Sequence, residues 1–355
     1  LTAQHAADTP EKLYADMRAT HLNPLWTQVG DLMPMTPTPK AIPYVWRWDD
    51  LSPIAARAGA LVPVGRGGER RAIALANPGL GGLPHATPTL WAAIQYLGGM
   101  ETAPEHRHSQ HAFRFVLEGQ GVWTVVDGDP VAMSRGDLLV TPGWCFHGHQ
   151  NTADRPMTWI DGLDIPFAGY SDTGFFEFGL DGLTDDSTPS TSRSERLWAY
   201  PGLRPLRCVQ DTASTPMSAY RWSFTDAALR AQLELEDDGY PGTLEPGHAG
   251  VRYTNPSTGG DILPTIRAEF HRLRAGARTR CVREVGSTIY QVFSGNGVFT
   301  LNGVDTAVCH GDLIAVPSWA AWSIQAIEEL DLFAFSDIPI MEALRLYRTE
   351  FCGEA

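Results

Sequence analysis

The sequence predicts an all-β-dominated protein: two antiparallel barrel or jelly-roll units, with helices before and between them. Three observations carry this. The first is an internal repeat, in which FRFVLEGQGVWTV from Phe113 to Val125 matches IYQVFSGNGVFTL from Ile289 to Leu301. Each copy then passes a tight turn, Asp127-Gly128 or Asn302-Gly303, into RGDLLVTPGW from Arg135 or HGDLIAVPSW from His310. Similarity of that length means two copies of one structural unit. The second is turn chemistry, because Asp-Gly and Asn-Gly between apolar runs are strong hairpin signals. The third is composition: 35 glycines and 26 prolines among 355 residues favour many short strands over long helices.

Along the chain, residues 1–85 form a helical and extended leading segment. Thr9 is placed to cap a helix with Pro10 in its first turn. Aromatics follow in YVWRWDD, and a basic cluster, GRGGERR, holds Arg66, Arg70 and Arg71. Residues 86–167 make the first barrel unit. Residues 168–262 are a linker, in which STPSTSRSER suggests an exposed loop and TDAALRAQLELEDDG a helix capped at Thr225. Residues 263–355 make the second unit and a C-terminal helix. One segment is locally ambiguous: Thr87-Pro88 before TLWAAIQYL is a helix-start signal. Its counterpart, TIRAEFHRL from Thr265, alternates with a period of two, so both are assigned as strands. Trp91, Ala93 and Gln95 then share one face.

Apolar residues are 43% and charged residues 19%, enough to build a core. Twenty-seven Lys and Arg against 41 Asp and Glu leave a net charge of −14, which disfavours nucleic acid and anionic membrane surfaces as partners. No apolar run approaches the ~18 residues of a membrane span, and Leu1 to Pro10 lacks the basic start and apolar stretch of a signal peptide. The five cysteines are scattered, without a CxxC pair. Together these features predict a cytoplasmic protein.

The first unit alone carries paired histidines, in PEHRHSQHAFRF and CFHGHQN. Residues i and i+2 of a strand project to the same side, so His106 and His108 point together, as do His147 and His149. Four imidazoles converging on a small barrel make a site for a borderline transition metal. In the second copy the positions of His106, His108 and His147 are Val282, Glu284 and Trp322. Val and Trp are not ligands, which predicts a structural unit without metal.

The framework resembles the cupin superfamily: an H-x-H motif, then Gly136, DLLVT, Pro142, GWCF and His147, with Asn151 four positions on. From about Leu13 to the end of the second unit, the chain resembles the bicupins of the gentisate 1,2-dioxygenase family, most closely its salicylate 1,2-dioxygenase branch. Many cupins add a glutamate shortly after H-x-H; here those positions are Ala112 and Phe113, followed by Arg114. The resemblance implies Fe(II) held by His106, His108 and His147, with about three coordination positions left open. It implies a small aromatic hydroxy-carboxylate chelating through two oxygens, O₂ as co-substrate, and ring opening between the carboxyl-bearing and hydroxyl-bearing carbons. It also implies a homotetramer.

Further residues are candidates around that centre. Arg114 lies at even spacing from His108 and serves either the substrate carboxylate or an internal ion pair. His149 lies one strand repeat beyond His147 and acts on the substrate hydroxyl or on oxygen, or is structural. Gln95 and Trp91 are candidates for polar and aromatic contacts, with core packing the alternative for Trp91. Asp161 is a candidate for orienting Arg114 or a histidine. Only the resemblance brings Arg66 and Arg70 to the substrate; composition alone makes them a solvated loop. Two other functions compete: a manganese bicupin decarboxylase or oxidase, and a bicupin binding protein.

Overall fold

The computed structural model describes residues 9–65, 71–179, 191–208 and 210–353. The chain forms two units, Leu1–Thr38 and Pro39–Ala355. In the first, Thr9 caps the Pro10–Ala19 helix as its sequence predicts, accepting the Lys12 N–H at 3.3 Å. That helix buries none of its residues.

The second unit contains both repeats, each a pair of antiparallel sheets in a jelly-roll arrangement. In the first repeat, one sheet orders its strands Ala219–Tyr220, Leu138–Thr141, Ala112–Glu118, Met157–Leu163, Trp91–Leu97 and Ala72–Ala74. The facing sheet runs Phe176–Phe178, Thr102–His108, His147–Asn151, Gln120–Val126 and Asp129–Ser134. The second repeat follows the same plan. Both ambiguous segments are strands, Trp91–Leu97 and Arg267–Leu273.

The repeat holds at the level of single backbone torsions. Asp127 and Asn302 both have positive φ, at 46° and 49°, followed by Gly128 and Gly303 at 74° and 82°. Two consecutive positive φ values are what the favoured two-residue hairpin turn requires. Trp144 and Trp319 occupy the left-handed region at 69° and 65°. Their N–H groups donate to the carbonyls of His108 and Glu284 at 2.7 and 2.6 Å. His106 pairs with His147 in register, and Val282 pairs with Trp322.

The shared Gly-Asp has a physical task in each copy. The Asp137 carboxylate accepts from Trp222 N–H at 2.9 Å and pairs with Arg221 at 2.7 Å. Asp312 accepts from Trp48 N–H at 3.0 Å and pairs with Arg47 at 2.7 Å. Each aspartate caps a helix N-terminus from outside that helix, Trp222–Asp237 or Trp48–Leu61. A Cβ at Gly136 or Gly311 would lie 2.8 Å or 2.2 Å from the docked Trp222 or Trp48 side chain. Glycine is the residue that lets each tryptophan in.

The repeats exchange these docking elements. Tyr44–Trp46, upstream of the first repeat, pairs with Leu313–Val316 of the second, while Ala219–Tyr220 from the linker pairs with Leu138–Thr141 of the first. His248–Arg252, also from the linker, extends the second repeat through Arg267–Leu273. The jelly rolls therefore draw strands from segments that sequence assigns to the leader and the linker. A reciprocal clasp joins them: Thr265 donates to Asp164 at 2.6 Å, and Thr89 donates to Asp337.

The core lies between the two six-stranded sheets, which pack face to face. Phe115 stacks on Phe333 with ring centroids 4.0 Å apart, and Phe113 meets Phe335 edge-on at 4.8 Å. Strands of these sheets are buried on both faces, which suppresses simple alternation in AFRFVLE.

Two linker expectations are corrected. The part of STPSTSRSER that is described is ordered, with Ser192 and Glu195 forming a reciprocal capping box at the start of the Arg193–Trp198 helix. The Thr225 helix begins three residues earlier, because Asp137 supplies its cap from across the fold. Thr225 lies buried inside the helix and donates to the Tyr253 hydroxyl at 3.2 Å.

Candidate metal centre

The Thr102–His108 and His147–Asn151 strands lie side by side and carry the expected histidines to one point. Ring centroids are 4.5 Å apart for His106 and His147, 5.0 Å for His108 and His147, and 5.4 Å for His106 and His108. One nitrogen from each lies within 4.8 Å of the others, the only such group of three His, Cys, Asp or Glu among the described residues. Backbone carbonyls orient two of the rings: His108 Nδ1 lies 2.8 Å from the Gln110 oxygen, and His147 Nδ1 lies 3.0 Å from the Cys145 oxygen. An imidazole donating through Nδ1 presents its Nε2 lone pair to an ion. Three neutral nitrogen donors at this spacing fit a divalent transition metal.

The strand carrying His147 is anchored at its end. The Asn151 amide donates to the Gly98 and Arg155 carbonyls, both at 2.8 Å, which explains the asparagine four positions after His147.

A cavity of about 480 Å³ opens on the triad, and Trp91, Gln95, Arg114 and Asp161 line it. Register explains the grouping: Asp161 stands opposite Arg114 on one side and Ala93 on the other, and Gln95 stands opposite Trp159. Arg114 is 3% exposed, donates to Thr141 Oγ1 at 2.7 Å, and has its Nε 3.4 Å from Asp161. Burial pulls the guanidinium below its ordinary value and the Asp161 carboxylate opposes that. Trp159 Nε1 donates to the same carboxylate at 3.1 Å. Arg114 thus takes part in the internal ion pair that was one of its two sequence alternatives, and it also faces the cavity. The Gln95 Nε2 is buried and finds no hydrogen-bond partner among the described residues.

His149 is fully buried and does not line the cavity. Its ring lies 6.4 Å from that of His147 and 5.2 Å from Trp159, one step deeper in the jelly roll. Arg66 and Arg70 lie outside the described residues. Their neighbour Arg71 is buried, donates to the Gly59 carbonyl at 2.8 Å and is paired with Glu101.

Sequence reasoning missed the aromatic cover and the support for Arg114. Phe176 stacks on His106 with centroids 5.0 Å apart, and Phe175 packs on Trp144 at 5.6 Å. Phe176 opens a three-residue edge strand beyond the repeat and Phe175 immediately precedes it, a stretch that carries no local signal. Thr141 was accessible in principle, since it precedes the matched Pro142 on the neighbouring strand and reaches Arg114 diagonally.

The second repeat has no equivalent cluster among the described residues. Its Glu284 accepts from the Tyr347 hydroxyl at 2.8 Å, and burial raises the carboxyl. A wider cleft of about 680 Å³ lies beside the linker, where Arg221 is neutralised by Asp137 and Glu195.

Residues 94–165, which span the triad, match the cupin domain model. Across nearly its whole length the chain is similar to gentisate 1,2-dioxygenase of Streptomyces sp, at 62% identity over 339 residues covering 96% of this chain and 94% of the relative. It is 33% identical to 5-aminosalicylate 1,2-dioxygenase of Comamonas sp, over 96% of this chain and 90% of that one. The crystal structure of salicylate 1,2-dioxygenase from Pseudoaminobacter salicylatoxidans with gentisate superposes with a TM-score of 0.96 at 61% identity, covering 100% of this chain and 98% of that one. With the repeat, the exchanged helices and the histidine triad already in place, these likenesses have one meaning: the chain belongs to the gentisate 1,2-dioxygenase family.

Proposed function

We propose that this protein is an Fe(II)-dependent dioxygenase that opens the ring of gentisate- or salicylate-type hydroxybenzoates between the carboxyl-bearing and ortho-hydroxyl-bearing carbons. The observation that carries the proposal is the histidine triad at the floor of a cavity that Arg114 also lines. His106, His108 and His147 hold the ion. When bound, ferrous iron supplies Lewis acidity toward the substrate's carboxylate and hydroxyl oxygens and a path for electrons from ring to dioxygen.

The protein residues position the ring and manage its charge. Arg114 donates to the substrate carboxylate, held in orientation by Thr141 and Asp161. Gln95 turns its buried amide to a polar substituent, and Trp91 bounds the ring. Phe175 and Phe176 limit water at the mouth, which strengthens every polar contact inside. His149, buried behind His147 and outside the cavity lining, acts on the position of that ligand rather than on the substrate hydroxyl. Arg66 and Arg70 are, on the family resemblance alone, further candidates for binding the substrate's anionic groups. The protein works in the cytoplasm as a homotetramer; a leading helix that buries no residue of its own supports the assembly.

The test is oxygen uptake after metal removal and separate reloading with Fe(II) or Mn(II). With Fe(II), gentisate and salicylate should each consume one O₂ per ring opened. Activity with Mn(II) alone and release of CO₂ would favour the decarboxylase alternative, and tight binding without oxygen uptake would favour a binding protein.

A further inference from the structure

The second repeat is closed by the C-terminal end of the chain. Thr349–Phe351 lies on a sheet edge against Val282–Glu284, with Val282 opposite Phe351 and Glu284 opposite Thr349. In the first repeat Phe176–Phe178 lies in the same way against the metal-bearing strand, with His106 opposite Phe178 and His108 opposite Phe176. The equivalence reaches the side chains: Arg107 pairs with Glu177 at 2.6 Å, and Arg283 is 3.8 Å from Glu350. It also reaches the next rung, where Gly179 N–H donates to Glu105 and Cys352 N–H donates to Cys281, both at 2.9 Å. At that rung one repeat carries a glutamate and a glycine, and the other carries two cysteines.

We propose that Cys281 and Cys352 form a reversible intramolecular disulfide that latches the C-terminal strand over the second jelly roll. Residues of a hydrogen-bonded antiparallel pair have Cα atoms about 5.5 Å apart, within the ~4.4–6.8 Å that a disulfide spans. The two residues face each other across a backbone hydrogen bond, Cys352 N–H to the Cys281 carbonyl at 2.9 Å, and both are half-buried, which leaves a path for a small reagent. The strand they secure is only three residues long and sits at the edge of its sheet. Without the latch it is held by the Tyr347–Glu284 hydrogen bond, the Arg283–Glu350 pair and the Arg280 guanidinium, 3.9 Å from the Phe351 ring centroid.

The oxidant is a low-molecular-weight disulfide of the glutathione type. One protein thiolate attacks a glutathione sulfur and releases one glutathione; the second attacks the protein-bound sulfur and releases the other. Two protein thiols are oxidised, one glutathione disulfide is reduced, and the two thiol protons pass to the departing thiolates. Burial and the neighbouring Cys352 thiol push Cys281 up to about 11, so latch formation is slow at neutral pH and accelerates as pH rises.

The experiment equilibrates the full chain in glutathione buffers of increasing oxidising poise, quenches in acid, alkylates free thiols and maps the peptides. Expected is a cross-link between the peptides holding Cys281 and Cys352, rising in a two-electron titration while Cys145, Cys208 and Cys309 stay free of cross-links. Trypsin cleavage after the exposed Arg348 should release the tail from reduced protein and leave it attached in oxidised protein. In Cys281→Ser, Cys352 should carry glutathione and the tail should be lost under both conditions. If both cysteines remain alkylatable at the most oxidising poise, or each carries its own glutathione, the latch does not exist.

Discussion

Replacing Arg114 with methionine separates its two roles, because the structure assigns each a distinct cost. Toward substrate, hydrogen bonds to charged groups contribute about 1.5–3 kcal/mol each. A carboxylate gripped by two such bonds loses about 3–6 kcal/mol, which is roughly 10²- to 10⁴-fold in kcat/KM. Toward the fold, the change strands the Asp161 carboxylate, 4% exposed and 3.4 Å from the guanidinium. An uncompensated buried charge costs about 3–5 kcal/mol. A second substitution cancels only the latter. Arg114→Met with Asp161→Asn leaves a neutral amide that still accepts from Trp159 Nε1, so the midpoint of denaturation should recover while kcat/KM stays low. The assays are oxygen uptake with gentisate, iron content of the purified variants, and urea denaturation. Iron occupancy should stay near wild type, since Arg114 is held by Thr141 and Asp161 and is not one of the three histidine ligands. Recovery of turnover together with stability in the double variant would refute a direct grip on substrate and leave Arg114 a structural residue.

Three other outcomes are expected. His106→Ala should lose bound metal and ring cleavage together, and wild type should hold one ion per chain by metal analysis, because Val282 and Trp322 stand where the first repeat has His106 and His147. Burial raises Asp337 from 3.8 to about 6, so its stabilising contribution is complete below about pH 4 and is lost as pH rises through 6. At about 1.4 kcal/mol per pH unit that is about 3 kcal/mol; Asp337→Asn, which keeps an acceptor for Ser287 N–H and a partner for Thr89, should flatten the decline when urea midpoints are compared at pH 4.5 and 7.5. Phe115→Ala should cost about 3–5 kcal/mol in thermal or urea denaturation, since its ring stacks on Phe333 at 4.0 Å between the two repeats.

What the sequence determined by itself was everything with a short-range physical cause. The Asp127-Gly128 and Asn302-Gly303 turns are legible because few residues tolerate positive φ. His106 with His108 is legible because strand geometry places i and i+2 on one side, and the replacement of His106 and His147 by Val282 and Trp322 in the second repeat is legible from the repeat alignment. The Gly-Asp motif was visible as a pattern without its reason, which lies in helices from elsewhere in the chain: Trp48 and Trp222 dock over Gly311 and Gly136, and Asp312 and Asp137 cap them. Tertiary structure alone decided that each repeat borrows a strand and a helix from outside its boundaries, that Arg114 meets both Asp161 and the cavity, and that Phe176 covers His106. Such pairings join segments tens to hundreds of residues apart. Backbone hydrogen bonds and apolar contacts between distant segments depend on shape after collapse, and they leave no periodicity or motif in the local sequence.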